Sequence, residues 1–219
     1  MSAASHHIAT IPDPGPLKAP GLKGAAIGLL AVGIVVFAVL LFVDTERAWG
    51  AFLQGMLIPT YIGVAATFYM AVHTAANAKW NIPLRRIMEG LSCGLLITPV
   101  AFIILAAFGS PYLYDWIHQT GDSHHHLFHV YPGTKASLMT KSTFVIVNGL
   151  IILLWLWFRY SMVKLSTDQD STGADIRPRL LRLSIGFLPV FAIGLTFFVW
   201  LHLLSLHVNW FSTMWGVYC

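Results

Sequence analysis

An all-α, polytopic membrane helix bundle of about five spanning helices is the fold class this sequence predicts, and three observations carry the prediction. Hydrophobic residues fill 57% of the 219 positions, while charged residues fill only 10%. Mean hydropathy is +0.71, well above what a soluble domain of this length needs. The apolar residues also gather in five runs, on the scale needed to cross a hydrocarbon layer about 30 Å thick at about 1.5 Å per helical residue.

Residues 1–23, MSAASHHIATIPDPGPLKAPGLK, carry Pro and Gly throughout and no apolar period, which predicts an irregular cytoplasmic arm ahead of a transmembrane bundle over 24–219. A cleaved signal peptide would place positive charge before its apolar core and a small-residue site after it; neither order is found here. The first span is predicted at 25–43, closed by Asp44, Glu46 and Arg47. The second, 52–73, holds Pro59 near its middle, with Gly63, Ala65 and Ala66 close by. Proline removes a backbone donor and kinks a helix, and small residues let neighbouring helices approach, so this is a packed bundle helix. The third, 87–108, repeats the design with Gly90, Gly94 and Pro99. The fourth, 142–157, has no proline and runs out in the aromatic and basic WLWFRY. A polar loop, KLSTDQDSTGADIRPR, is expected to be exposed, and the fifth span follows at 184–206. Trp200, Trp210, Phe211, Trp215 and Tyr218 read as an interfacial aromatic belt at its far end. The chain stops at GVYC just where it should turn back towards the membrane, which predicts a fragment or a shortened subunit.

A pI near 9.2 does not point to nucleic acid, because the basic residues sit in short connections between apolar runs and not on one face. Lys18, Lys23, Lys79, Arg85, Arg86, Arg159, Lys164, Arg177, Arg179 and Arg182 fall on one side, against Arg47, Lys135 and Lys141 on the other. By the positive-inside rule the first side is cytoplasmic, which makes this a multi-pass membrane protein with its amino terminus inside.

Chemistry-bearing residues are few. Two cysteines, Cys93 and Cys219, are too few to hold an iron–sulfur cluster, and no C-x-x-C-H is present for covalent haem. Any redox centre is therefore expected to belong to something else. Ten histidines invite a b-haem, yet His73 ends an inward-running helix and His202 ends an outward-running one. Most of the bilayer separates them, so they do not share one iron. His124, His126 and His129 lie with Asp115 and Asp122 in a loop dense enough to bind zinc or copper, but the spacing fits no ordered site and a solvated loop against a partner is the better reading. Inside the spans the polar candidates include Tyr69, Asn148, Thr196 and His202. Asn148 and His202 fall at similar depth and line one outer pocket for a quinone head group or an ordered water, while interhelical hydrogen bonding is the ordinary use of each alone. Tyr69 and His73 mark the inner end of any proton file to His202. With no Asp or Glu at mid-span and Glu89 and Lys141 at helix ends, a proton pump based on carboxylates is not expected.

The block FLPVFA at 187–192 and the closing WFSTMWGVY at 210–218, with QGMLIP at 54–59 and FRYSMVKLS after the fourth span, resemble the F subunit of alternative complex III, a membrane protein of the NrfD/PsrC family. The resemblance extends over most of the chain and corresponds to the amino-terminal half of that subunit. It implies a flanking helix followed by the first of two four-helix bundles. It also implies membership of a quinol:electron-acceptor oxidoreductase, with scaffold and a proton route as the proposed roles and no redox cofactor of the subunit's own. The implied partners are a second NrfD-like subunit, where quinol oxidation is usually assigned, an iron–sulfur subunit, multihaem and monohaem cytochromes c that carry haem c, small membrane subunits, lipids and, in some members, a terminal oxidase. Where the family closes its fifth span with a D-W-L-M-S-L-E-P-H-W-like segment, this chain reads Leu201, His202, Leu203, Leu204, Ser205, Leu206, His207, Val208, Asn209, Trp210. The carboxylates are gone. A proton on this helix would have to ride on His202 or His207.

Overall fold

The computed structural model describes residues 20–78, 80, 82–119, 139–172 and 176–206, in two units, 1–43 and 44–219. Among the described residues every regular element is helical. Five stretches, Gly21–Val43, Thr45–Ala75, Pro83–Leu113, Lys141–Gln169 and Arg177–Leu206, are long and apolar enough to cross a membrane. The protein is a multi-pass, all-α membrane protein.

The first unit contributes one helix, α1 (Pro20–Val43), 24 residues and about 36 Å long. It starts earlier than hydropathy alone predicts. Proline suits a first helical turn, where its missing N–H has no intrahelical acceptor anyway, so residues 20–23, expected in the arm, belong to the helix. The rest of the arm lies outside the described residues.

In the second unit, α2 (Thr45–Ala75) begins at Asp44, whose backbone is extended and whose carboxylate accepts the Arg47 N–H at 3.1 Å. That is an N-cap, and it carries the helix well beyond the apolar run on this side. The other end closes at Asn77, which takes φ 53°. Asn77 N–H donates to Thr74 O at 3.1 Å and Ala78 N–H to His73 O at 2.9 Å, the paired bonds of a Schellman stop.

The third span is irregularly wound. It runs as α3 (Ile82–Leu91), a 3-10 segment (Ser92–Leu96), α4 (Thr98–Ile104), a π-helical turn (Leu105–Gly109) and α5 (Ser110–Leu113). The 3-10 segment lies where the backbone meets α2: a Cβ on Gly94 would stand 2.5 Å from Pro59 O, and one on Gly63 2.5 Å from Leu95 N. Only glycine permits that approach. Pro99 sits in the first turn of α4, where it removes no helical hydrogen bond. A short α6 (Trp116–Gln119) follows.

Two long helices complete the unit, α7 (Lys141–Thr172) and α8 (Arg177–His202), the latter ending in a 3-10 turn (Leu204–Leu206). They shorten the polar loop expected between spans four and five: Arg159 and Lys164 lie on α7, and Arg177, Arg179 and Arg182 on α8.

Side-chain pairs set the topology. Tyr61 meets Phe198 and Phe68 meets Phe191, so α2 and α8 run antiparallel. Thr60 meets Thr98 while Trp49 lies against Gly109, so α2 and the third span do too. Phe102 with Phe144 and Ser92 with Arg159 give the same relation between the third span and α7, as do Phe144 with His202 and Phe158 with Phe187 between α7 and α8. The four spans of this unit thus close into an up-down-up-down bundle. Its interior holds Trp155, Phe187, Phe198 and Leu95, while Ile103, Leu153 and Ile193 are exposed on its outside, as a hydrocarbon solvent allows.

Candidate functional site

The buried polar groups concentrate towards the two ends of the bundle. At one end α8 stops, α7 starts and the chain leaves α5. His202, fully buried, is the last residue of α8. Its Nδ1 lies 3.0 Å from Phe198 O, and because a carbonyl only accepts, Nδ1 carries the hydrogen. In the neutral ring Nε2 is then an acceptor, and among the described residues it has no partner. The ring is caged by Phe198 at 4.1 Å, Phe144 at 5.2 Å and Phe102 at 5.7 Å between centroids.

Asn148 stands one turn along α7 from Phe144 and is also fully buried. Its Nδ2 donates to Phe144 O at 2.8 Å, which leaves Oδ1 as a second buried acceptor without a partner among the described residues. Phe144 therefore joins the two groups, touching one with its ring and the other with its carbonyl. Two buried acceptors, the first of them in an aromatic cage, call for a donor such as an ordered water or a hydroxyl.

Tyr114 closes this end from above. It follows the last residue of α5 in an extended conformation, φ −117° and ψ 98°, and its hydroxyl donates to His202 O at 3.2 Å. That carbonyl loses its helical partner when the chain tightens, because Leu206 N–H turns to Leu203 O at 3.3 Å. Burial, with the Tyr61 phenol adding to it, pushes the Tyr114 hydroxyl up, so it stays protonated and keeps donating. Deeper in the bundle Thr60 Oγ1 donates to Met56 O at 2.7 Å and so accepts from Thr98 Oγ1 at 2.8 Å.

No protein-family model and no curated protein matches the chain.

At the opposite end of the bundle the Tyr69 and His73 rings meet at a tilt, 3.9 Å between centroids, with Trp80 edge-on to His73 at 4.9 Å and His73 Nδ1 at 2.8 Å from Tyr69 O. The antiparallel register of α2 and α8 places His73 beside about residue 186, about 24 Å from His202. The two histidines are therefore too far apart to ligate one haem. Thr196 joins neither end: it is exposed, and its hydroxyl returns to Ala192 O at 2.8 Å. His124, His126 and His129 lie outside the described residues, and among the described residues no three metal-ligating side chains converge.

The same end holds a cluster that hydropathy hides. Glu89, expected at a helix end, is 7% exposed inside the third span, ion-paired with Arg85 at 3.3 Å and with Arg86. Arg159, expected at the basic exit of span four, is buried and reaches Ser92. The signal available in the sequence was only that Arg159 continues the helical run of α7.

Proposed function

We propose that this chain is an integral membrane subunit of a quinol-oxidising respiratory assembly of the alternative complex III type, giving scaffold and a proton-bearing outer site, without a redox cofactor of its own. One observation supports the reading above the others: a separate apolar helix precedes a closed four-helix bundle. That is the order the resemblance implies for the first half of an F subunit. The basic end of the bundle, with Arg85, Arg86, Arg159, Lys164 and Arg177 together, is the cytoplasmic end in this reading, and the His202 end faces outward in a bacterial inner membrane. Haem c and iron–sulfur clusters belong to the partner subunits.

His202 and Asn148 give the outer end its role. An imidazole held by Phe198 O keeps Nε2 open to take a proton from a donor, and Asn148 Oδ1 offers a second acceptor beside it. The observation that favours a second reading is the same pair, since the two hydroxyls of a quinol head group also donate. Bound quinone recovered with the wild-type assembly and lost in Asn148→Leu would favour that reading over a water.

A strain lacking this chain tests the proposal. Its membranes are expected to lose quinol-dependent reduction of cytochrome c, and a plasmid copy to restore it. Undiminished activity in the deletion strain contradicts the assignment.

A further inference from the structure

Basic side chains gather at one end of the bundle, and one of them is buried. Arg159 is 8% exposed. Its Nε donates to the carbonyl and the hydroxyl of Ser92, both at 3.0 Å, and its Nη2 lies 3.1 Å from Cys93 Sγ. Neither partner is an anion, and a thiol sulfur is a weak acceptor. Among the described residues no carboxylate pairs with Arg159, and the nearby Glu89 is already held by Arg85 and Arg86. Among the described residues Arg159 is thus held by neutral groups alone.

These contacts follow one seam between the third span and α7, which we take as a crevice. Arg86, which also reaches Ser166 of α7 at 3.3 Å, stands at the mouth. Ser92 and Arg159 form the floor, about 9 Å further in along the helix. The floor is not sealed, because Cys93 beside Nη2 is exposed at the bundle surface. Around the crevice the outer surface is apolar: Leu96 and Ile97 on the third span and Trp157 and Tyr160 on α7 are all exposed.

A guanidinium held near hydrocarbon without an anion is expensive. A phosphate satisfies it best, by accepting parallel N–H bonds in a geometry a point charge does not reproduce. We propose that this crevice binds the phosphodiester head group of an anionic membrane lipid, with Arg159 as its inner anchor, Arg85 and Arg86 at its mouth, and the acyl chains along Leu96, Ile97 and Trp157. Basic pockets between spanning helices on the cytoplasmic side are a known way of recognising such head groups.

The test uses the full chain in nanodiscs of phosphatidylcholine, with or without phosphatidylglycerol, and native mass spectrometry of the lipids retained after release. Wild type is expected to retain phosphatidylglycerol over phosphatidylcholine, Arg159→Gln to retain about tenfold less, Arg159→Lys to recover part of it, and the exposed Lys164→Gln to match wild type. Equal retention of both lipids, or retention undiminished by Arg159→Gln, overturns the site. Should Arg159→Gln fail to fold, Cys93 reports on the wild-type crevice in a Cys219→Ser background. Its maleimide reaction is expected to slow several-fold when phosphatidylglycerol is added. An unchanged rate overturns the proposal. Equal protection by inorganic phosphate in phosphatidylcholine replaces the lipid with a free anion. Protection in the intact assembly whatever the lipid replaces it with an acidic side chain of a neighbouring subunit.

Discussion

The Phe144 ring lies 5.2 Å from the His202 ring, and the Phe144 carbonyl takes the side-chain amide of Asn148. One aromatic residue at the start of α7 thus supports both polar groups of this end of the bundle. The pair leaves two buried acceptors, His202 Nε2 in its aromatic cage and Asn148 Oδ1 on α7.

A buried polar atom without a partner costs stability, whereas removing it in favour of an apolar group of similar shape is nearly neutral. Asn148→Leu is therefore expected to change unfolding free energy by less than about 1 kcal/mol, while Asn148→Asp costs about 2 kcal/mol or more by burying a carboxyl in its place. Thermal unfolding of the purified protein in detergent reads both. A large loss in Asn148→Leu would mean that Oδ1 already has a strong partner.

His202→Ala removes the cage's filling as well as its acceptor. A loss of about 2–4 kcal/mol is expected from the cavity, while His202→Phe keeps the packing and loses only the nitrogens. In the assembly, a proton-bearing role predicts that His202→Phe lowers protons moved per electron more than it lowers stability. Unchanged proton stoichiometry with normal turnover would remove the residue from any proton route.

The glycines differ in what surrounds them. Gly94→Ala and Gly63→Ala force a methyl against backbone at 2.5 Å, and each is expected to cost about 1–3 kcal/mol. Gly90→Ala, in open space on α3, is expected to gain about 0.5–1 kcal/mol from helix propensity. Equal effects at all three positions would contradict the close approach of α2 and the third span.

Asn77 holds a left-handed conformation to stop α2. Asn77→Gly is expected to stabilise by a few tenths to about 1 kcal/mol, and Asn77→Val to cost about 1–2 kcal/mol. Similar unfolding midpoints for the two variants would contradict the stop.

Thr98 donates to Thr60 across the helix pair at 2.8 Å. A double-mutant cycle with Thr60→Val and Thr98→Val is expected to give a coupling of about 0.6 kcal/mol, the usual size for such bonds in membranes. A coupling of zero would mean that the hydroxyls are satisfied separately by their own helices.

How much of this was legible follows from what each feature depends on. The five spans were plain because apolar runs of that length have one use. Their ends were not, because α2 and α7 continue past the apolar residues into polar stretches such as Thr45–Gly50 and Val163–Thr172, where caps and helix-forming residues decide the boundary and not hydropathy. The shared depth of His202 and Asn148 came from counting residues along antiparallel helices. The cage of Phe102, Phe144 and Phe198 and the reach of Tyr114 needed the fold, since they join four separate elements. Arg159 was misplaced for a related reason: an arginine after a tryptophan-rich run reads as a boundary anchor, and only the 3-10 turn at Ser92 gives it a buried partner. Thr196, chosen by type and depth, faces outward because no periodic signal distinguishes faces on a helix that is apolar all round.

Mild-detergent purification of the native complex through this chain tests whether it belongs to a quinol-oxidising assembly. Visible spectroscopy and mass spectrometry of what comes with it are expected to show c-type haem, an iron–sulfur protein and a second NrfD-like subunit. The chain emerging alone, or with only a b-type haem, would contradict that membership.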